Sequence, residues 1–368
     1  MEPDANSRPD LFSRKLDSVC FELVRALEAI ERAQRRFFPP KVPRLQEELL
    51  PLLPSLNQAR KDIRRMEPSR GFEGVRDALD RAADLVAKTL EMITTASRSD
   101  MERAVIQVFQ SFRECAHAQE QLFRLRRALP SINAYFLEPQ VRARVGELDP
   151  EPPPRADTGL HHAGTDRDPY ARGAFSLYVP ESYDGKRAWP LVTALHGGFG
   201  HGRDFLWTWL REARSRRFLL LAPSSKGTTW SLLSPEVDGA ALRSVLADVT
   251  RNWNVDSDRI LLTGISDGGT FALATGLQEP SPFTALALIA CVLPPADLGM
   301  ALGRRIYWVH GALDWMFPIQ NAQRSAKMLE QAGADMTFRI VHDLSHTYPR
   351  DENARILTWF DPTLGLAG

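Results

Sequence analysis

The chain has 368 residues, of which 43% are hydrophobic and 25% charged, with 46 basic and 46 acidic side chains and no net charge. That length exceeds what one core usually fills, so two domains are expected. The balanced charge carries no footprint for nucleic acid or an anionic membrane, and no run of about 18 apolar residues marks a transmembrane helix.

The opening Met1-Glu2-Pro3-Asp4 lacks the basic patch and apolar core of a secretory signal, so a cytoplasmic location is expected. Leu16, Val19, Cys20, Leu23, Leu27 and Ile30 follow helical spacing. A second helix is expected over Leu45 to Ile63, interrupted near Pro51 and Pro54, a third over Phe72 to Ile93, and a fourth from Met101 toward Leu129. A short helix follows at Ser131 to Leu137. Turn compositions separate them at Phe38-Pro39-Pro40, Glu67-Pro68-Ser69-Arg70-Gly71 and Ser97-Arg98-Ser99-Asp100. Four amphipathic helices with short connections predict an up-down bundle over residues 1–148. This half shows no constellation of ligands or nucleophiles, and Arg124-Leu125-Arg126-Arg127 reads as solvated surface. Self-association or protein docking is the function expected of the bundle.

Residues 149–170 read as a linker, stiffened by Pro150, Pro152, Pro153 and Pro154. His161 and His162 within it read as exposed loop histidines. From residue 171 the period changes. Apolar strands are expected at 174–180, 190–195, 218–223, 259–263, 285–291, 305–309 and 337–341, with helices over 237–253, 268–277 and 319–331. That alternation predicts a mostly parallel sheet covered on both faces across residues 171–368.

The strongest chemical signal is Gly264-Ile265-Ser266-Asp267-Gly268, which follows the strand Ile260-Leu261-Leu262-Thr263 and precedes a helix. A sharp strand-to-helix turn presents a serine hydroxyl at the carboxyl edge of the sheet. Glycines two before and two after remove side chains that would collide across the turn. A serine hydroxyl needs a base, and the base an orienting acid, following in the order serine, acid, histidine. Among His310, His342 and His346, the last lies in a loop beyond the final strand and is the expected base. Asp314 directly follows a strand and is the expected acid, ahead of Asp297 and Asp343. The turn His196-Gly197-Gly198-Phe199-Gly200 offers one backbone donor for an oxyanion, from Gly198 or Phe199, and Asp267 offers the other. His196 reads as structural, and Thr228 to Leu233 as a segment lining the site.

Cys20, Cys115 and Cys291 fit no metal spacing and no disulfide framework, and Cys291 reads as a small core residue. No metal or organic cofactor is expected.

Together Leu195-His196-Gly197-Gly198, Gly264 to Gly269, His310-Gly311-Ala312-Leu313-Asp314 with Pro318, and Ser345-His346 resemble the α/β-hydrolase superfamily. Within it they are most similar to the phospholipase/carboxylesterase group that includes acyl-protein thioesterases. The resemblance covers about residues 172–360 and implies an α/β-hydrolase fold behind the all-α bundle. It implies a serine esterase, acting on small-molecule carboxylic esters or thioesters through Ser266, His346 and Asp314. Peptidase or amidase chemistry on the same residues is the alternative. A third reading is an interaction protein that works through the bundle. No long insertion separates the strand at 285–291 from Asp314, which argues against a lipase-type helical cap.

Overall fold

The computed structural model describes residues 11–67, 73–151, 155–163, 168 and 170–366. The expected turn at 68–72 and the prolines 152–154 lie outside the described residues. The chain divides into two compact units, residues 1–136 and 137–368.

The first unit is helical: α1 (Leu11–Arg35), α2 (Val42–Leu49), α3 (Leu53–Arg65), α4 (Glu73–Thr94), α5 (Met101–Leu125) and α6 (Pro130–Tyr135). The apolar stripe of α1 buries Leu23, Leu27 and Ile30 completely. Its partners are α3, α4 and α6, while α4 packs along α5. Asp100 caps α5 by accepting a hydrogen bond from the Arg103 amide. The break expected near Pro51 and Pro54 is a 3-10 turn between α2 and α3. Buried Gln46 of α2 donates to the Ile93 and Ala96 carbonyls, meeting acceptors left open where α4 ends.

The second unit is built on an eight-stranded sheet: β1 (Gly159–Ala163), β2 (Phe175–Val179), β3 (Trp189–Leu195), β4 (Leu219–Pro223), β5 (Val255–Ile265), β6 (Ala285–Ile289), β7 (Arg305–Gly311) and β8 (Asp335–Val341). Their order is β1-β2-β4-β3-β5-β6-β7-β8. The first three in that order pair antiparallel and the rest parallel. Parallel neighbours need crossovers. The helices of this unit are α7 (Val145–Leu148), α8 (Gly202–Phe205), α9 (Leu210–Arg216), α10 (Glu236–Asn252), α11 (Asp267–Gly276), α12 (Ile319–Gln331) and α13 (Asn353–Phe360). Strands β3, β4 and β6 are buried along their whole length, as a sheet covered on both faces requires. This strand order, mostly parallel and interleaved with helices, is that of an α/β-hydrolase fold.

Two expectations about the boundary are corrected. Residues 137–148 pack with the second unit: the Glu138 carboxylate grips Arg216 with two 2.7 Å hydrogen bonds, and Leu137, Val141 and Leu148 form one buried cluster. The stretch at 149–170 is more than a linker, because β1 lies inside it and forms the edge of the sheet. His161 and His162 are strand residues, half-buried. The His161 ring packs against Trp253, and His162 Nδ1 lies 2.8 Å from the Ser176 hydroxyl.

None of the described helices is long and apolar enough to cross a membrane. Among the described residues no three His, Cys, Asp or Glu side chains are grouped to hold a metal ion.

Candidate active site

The parallel register brings the ends of β3, β5 and β6 to one edge, with Leu195 opposite Gly264 and Ile265 opposite Ile289. Ser266 follows β5 there with φ +55° and ψ −124°, a left-handed conformation unusual for a serine. Its amide donates to the Ile289 carbonyl, which holds the strained turn against β6. The flanking glycines are required by distance. A Cβ on Gly264 would lie 2.4 Å from the Gly268 carbonyl oxygen, and one on Gly268 would lie 2.2 Å from that of His196. Ser266 is partly exposed, and it stands at the N-cap of α11, the positive end of the helix dipole.

His346 and Asp314 meet at the same edge. His346 Nε2 lies 3.0 Å from Ser266 Oγ, and its Nδ1 lies 2.9 Å from Asp314 Oδ2. Facing a carboxylate, Nδ1 carries the proton, which leaves Nε2 as an acceptor for the serine hydroxyl. Asp314 is buried, and its other oxygen accepts from the Met316 and Phe317 amides at 2.9 and 2.7 Å. The two loops are joined to each other. The Leu313 amide donates to the Leu344 carbonyl, and Gly311 passes so close that a Cβ would lie 2.3 Å from that oxygen. The Phe317 ring stands edge-on to His346 at 5.1 Å and restricts its rotation.

The other candidates stand elsewhere. His342 is exposed, and Asp297 caps a short 3-10 turn through the Gly299 amide. His310 is fully buried beside Asp314, donates to the Phe317 carbonyl, and has its pKa lowered chiefly by burial. Cys291 is buried behind the elbow, and burial pushes its thiol pKa well up.

The turn after β3 runs against the elbow: a Cβ on Gly197 would lie 3.6 Å from Ser266 Cβ, and one on Gly198 would lie 2.7 Å from Asp267 Oδ2. The Phe199 amide is spent on the Thr228 carbonyl at 2.9 Å. This removes Phe199 as an oxyanion donor. The amides of Gly198 and Asp267 have no hydrogen-bond partner among the described residues. His196 is a neutral, structural imidazole. Nδ1–H donates to the Gly197 carbonyl, Nε2 accepts from the Ser225 amide, and burial pushes its pKa down to about 4.

The segment 228–233 does more than line the site. Thr229 Oγ1 donates to Asp267 Oδ2 at 2.5 Å, and Trp230 Nε1 donates to the His196 carbonyl while its ring stacks on Phe271. Its bonds to both sides of the site involve side chains whose reach only the fold reveals. Residues 290–304, between β6 and β7, hold only a short 3-10 turn.

Residues 241–362 match a family model described as Phospholipase/Carboxylesterase, and Ser266, Asp314 and His346 all fall inside that span. Acyl-protein thioesterase 1 of Mycosarcoma maydis is 30% identical over 106 residues, which cover 26% of this chain and 41% of that protein. The chain therefore spans less than half the length of this relative. Among solved structures, a thermostable esterase is 22% identical with a TM-score of 0.45, covering 51% of this chain and 58% of that one. Esterase PE8 is 21% identical with a TM-score of 0.43, covering 53% and 97%. The second unit of this chain has an α/β-hydrolase fold, and its residues 241–362 are similar to the family described as Phospholipase/Carboxylesterase.

Proposed function

We propose that the chain is a serine hydrolase that cleaves carboxylic esters or thioesters of small molecules through an acyl-enzyme. The observation that carries this reading is the hydrogen-bonded chain from Ser266 through His346 to Asp314, on an elbow with φ +55°. The thioesterase relative supports extending the substrate class from oxygen esters to thioesters.

In this reading Ser266 Oγ attacks the acyl carbon while its proton passes to His346 Nε2. The carbonyl oxygen becomes an oxyanion and accepts from the free amides of Gly198 and Asp267. Asp314 holds the proton-bearing Nδ1 in place and stabilises the imidazolium. When the tetrahedral intermediate collapses, the Nε2 proton goes to the departing alcohol or thiol. Water then gives its proton to Nε2 and its oxygen to the acyl carbon, and the acid leaves as Ser266 regains its proton. No step calls for a cofactor.

The test is hydrolysis of p-nitrophenyl acetate together with labelling by a fluorophosphonate. Wild type is expected to turn over and to be labelled at Ser266, and Ser266→Ala to do neither. Turnover by Ser266→Ala at the wild-type rate sinks the assignment. Faster cleavage of peptide anilides than of esters by wild type would move the reading to an amidase.

A further inference from the structure

The two amides assigned to the oxyanion belong to separate parts of the chain, the turn after β3 and the start of α11. Donors of this kind act only when held within a few tenths of an ångström. Residues 225–231, the loop after β4, supply the link. Asp238 of α10, almost fully buried, accepts from the Lys226 amide with Oδ1 and from the Ser231 amide with Oδ2, both at 2.8 Å. The Ser231 hydroxyl in turn accepts from the Asp238 amide. The two ends of the loop are thus pinned to one carboxylate, which makes the segment between them a rigid strap.

From this strap three consecutive residues reach the site. The Thr228 carbonyl takes the Phe199 amide, and Trp230 Nε1 donates to the His196 carbonyl. Both bonds hold the turn that carries Gly198. Thr229 alone of the three turns to the other side, donating to Asp267 Oδ2 at 2.5 Å. The Asp267 carboxylate also lies where any side chain on Gly198 would stand, 2.7 Å from the Cβ position. It is wedged between the strap and the turn.

We propose that Thr229 is a positioning residue for the oxyanion site. Its hydroxyl fixes the side chain of Asp267, so that the Asp267 and Gly198 amides converge on one point. The inference rests on the serine-hydrolase reading above. Thr229 touches no reacting atom in it. Its effect belongs to the transition state, where the oxyanion exists, and not to substrate binding.

The experiment compares wild type, Thr229→Val and Thr229→Ser on p-nitrophenyl acetate, with inhibition by a trifluoromethyl ketone that forms a tetrahedral adduct on serine. Thr229→Val is expected to lose about 10- to 100-fold in kcat, the scale of a misplaced or missing oxyanion donor. KM should stay within about twofold, and the ketone inhibition constant should rise in proportion to the loss in kcat/KM. Thr229→Ser restores the hydroxyl and should recover most of the rate. Should Thr229→Val lose its fold, Thr229→Ala carries the same comparison. A hydroxyl-less variant with kcat within twofold of wild type overturns the inference, as does one in which KM alone rises or one that Thr229→Ser fails to rescue. A wild type that neither turns over nor is labelled at Ser266 overturns the serine-hydrolase reading and this inference with it. A wild type that does both, beside an unimpaired Thr229→Val, overturns this inference alone.

Discussion

Asp314 meets His346 through Oδ2 only, because its Oδ1 is already occupied by the amides of Met316 and Phe317. The division of labour between the two oxygens dictates what an isosteric change would do. In Asp314→Asn the amide oxygen must stay with the two backbone donors, since leaving them buried and unpaired is costly. The NH2 group then faces His346 Nδ1, which has to accept. The proton moves to Nε2, and the ring can no longer receive one from Ser266. Ester turnover by Asp314→Asn is expected to fall by about three to four orders of magnitude with the fold intact. A loss below tenfold in kcat, with an unchanged unfolding midpoint, would show that Asp314 does not orient the base.

The elbow makes a second demand, on shape. A Cβ on Gly268 would lie 2.2 Å from the His196 carbonyl oxygen and 2.6 Å from that of Leu195, and both are backbone atoms that cannot swing away. Overpacking a core usually costs about 1–3 kcal/mol, and contact with fixed backbone belongs at or above the top of that range. Gly268→Ala should therefore lower the urea midpoint sharply. Gly146, in α7 with nothing within 4 Å of its Cβ position, serves as the control, where alanine should be tolerated. All eight tryptophans lie beyond residue 188, so their fluorescence follows the second unit alone. Equal midpoints for the two variants would refute this account of the turn.

How far the site could be read in advance depended on where the information lay. The elbow was legible because its needs are local: a strand, two glycines and a helix adjoin Ser266 in sequence. The positions of Asp314 and His346 at the same edge follow from each lying just beyond a strand: Arg305–Gly311, apolar from Ile306 to Val309, and Asp335–Val341, which alternates apolar with polar residues. Helix α9 was hidden by its own composition. Leu210–Arg216 is mostly polar and charged, yet Arg214 and Arg216 are buried, paired with Asp149 and Glu181 and with Glu138. Strand β1 was hidden likewise, since Gly159-Leu160-His161-His162-Ala163 carries no apolar alternation and pairs on one side only. The partners of the α9 arginines lie 33–78 residues away in sequence, so no local window reports them. The Phe199 amide belongs with these: only the position of the Thr228 carbonyl shows that it is spent.

The pairing of Glu138 with Arg216 yields a prediction about the boundary between the units. Arg216 is nearly buried, and besides Glu138 it has the Leu364 carbonyl as an acceptor. Removing the carboxylate leaves a buried charge without its counter-ion, a loss of about 3–5 kcal/mol in comparable pairs. Glu138→Ala should thus destabilise the second unit in tryptophan-monitored unfolding, although the residue precedes the first strand of that unit. Glu147→Ala, at an exposed ion pair with Arg144, should change little. If Glu138→Ala leaves the tryptophan transition where Glu147→Ala does, residues 137–148 do not contribute to that unit.

His196 couples the turn after β3 to pH. Burial holds its pKa down to about 4, against an ordinary value of 6.5, chiefly because the enclosed ring is desolvated; its Nε2 accepts from the Ser225 amide. Between those values the unfolded chain binds a proton that the folded chain refuses. The stability of the folded state is therefore fully present above pH 6.5 and declines as pH falls toward 4, by at most about 3 kcal/mol from this group. The buried His310, whose pKa is also lowered, acts in the same direction. The expected result is a fall in the unfolding free energy of the second unit from pH 7.5 to pH 5. The fall should be shallower in His196→Asn, which starts lower because the Ser225 amide loses its acceptor. Parallel pH slopes for the two proteins would mean that His196 titrates alike in the folded and unfolded chain, and that the turn holding Gly198 is not built on a neutral imidazole.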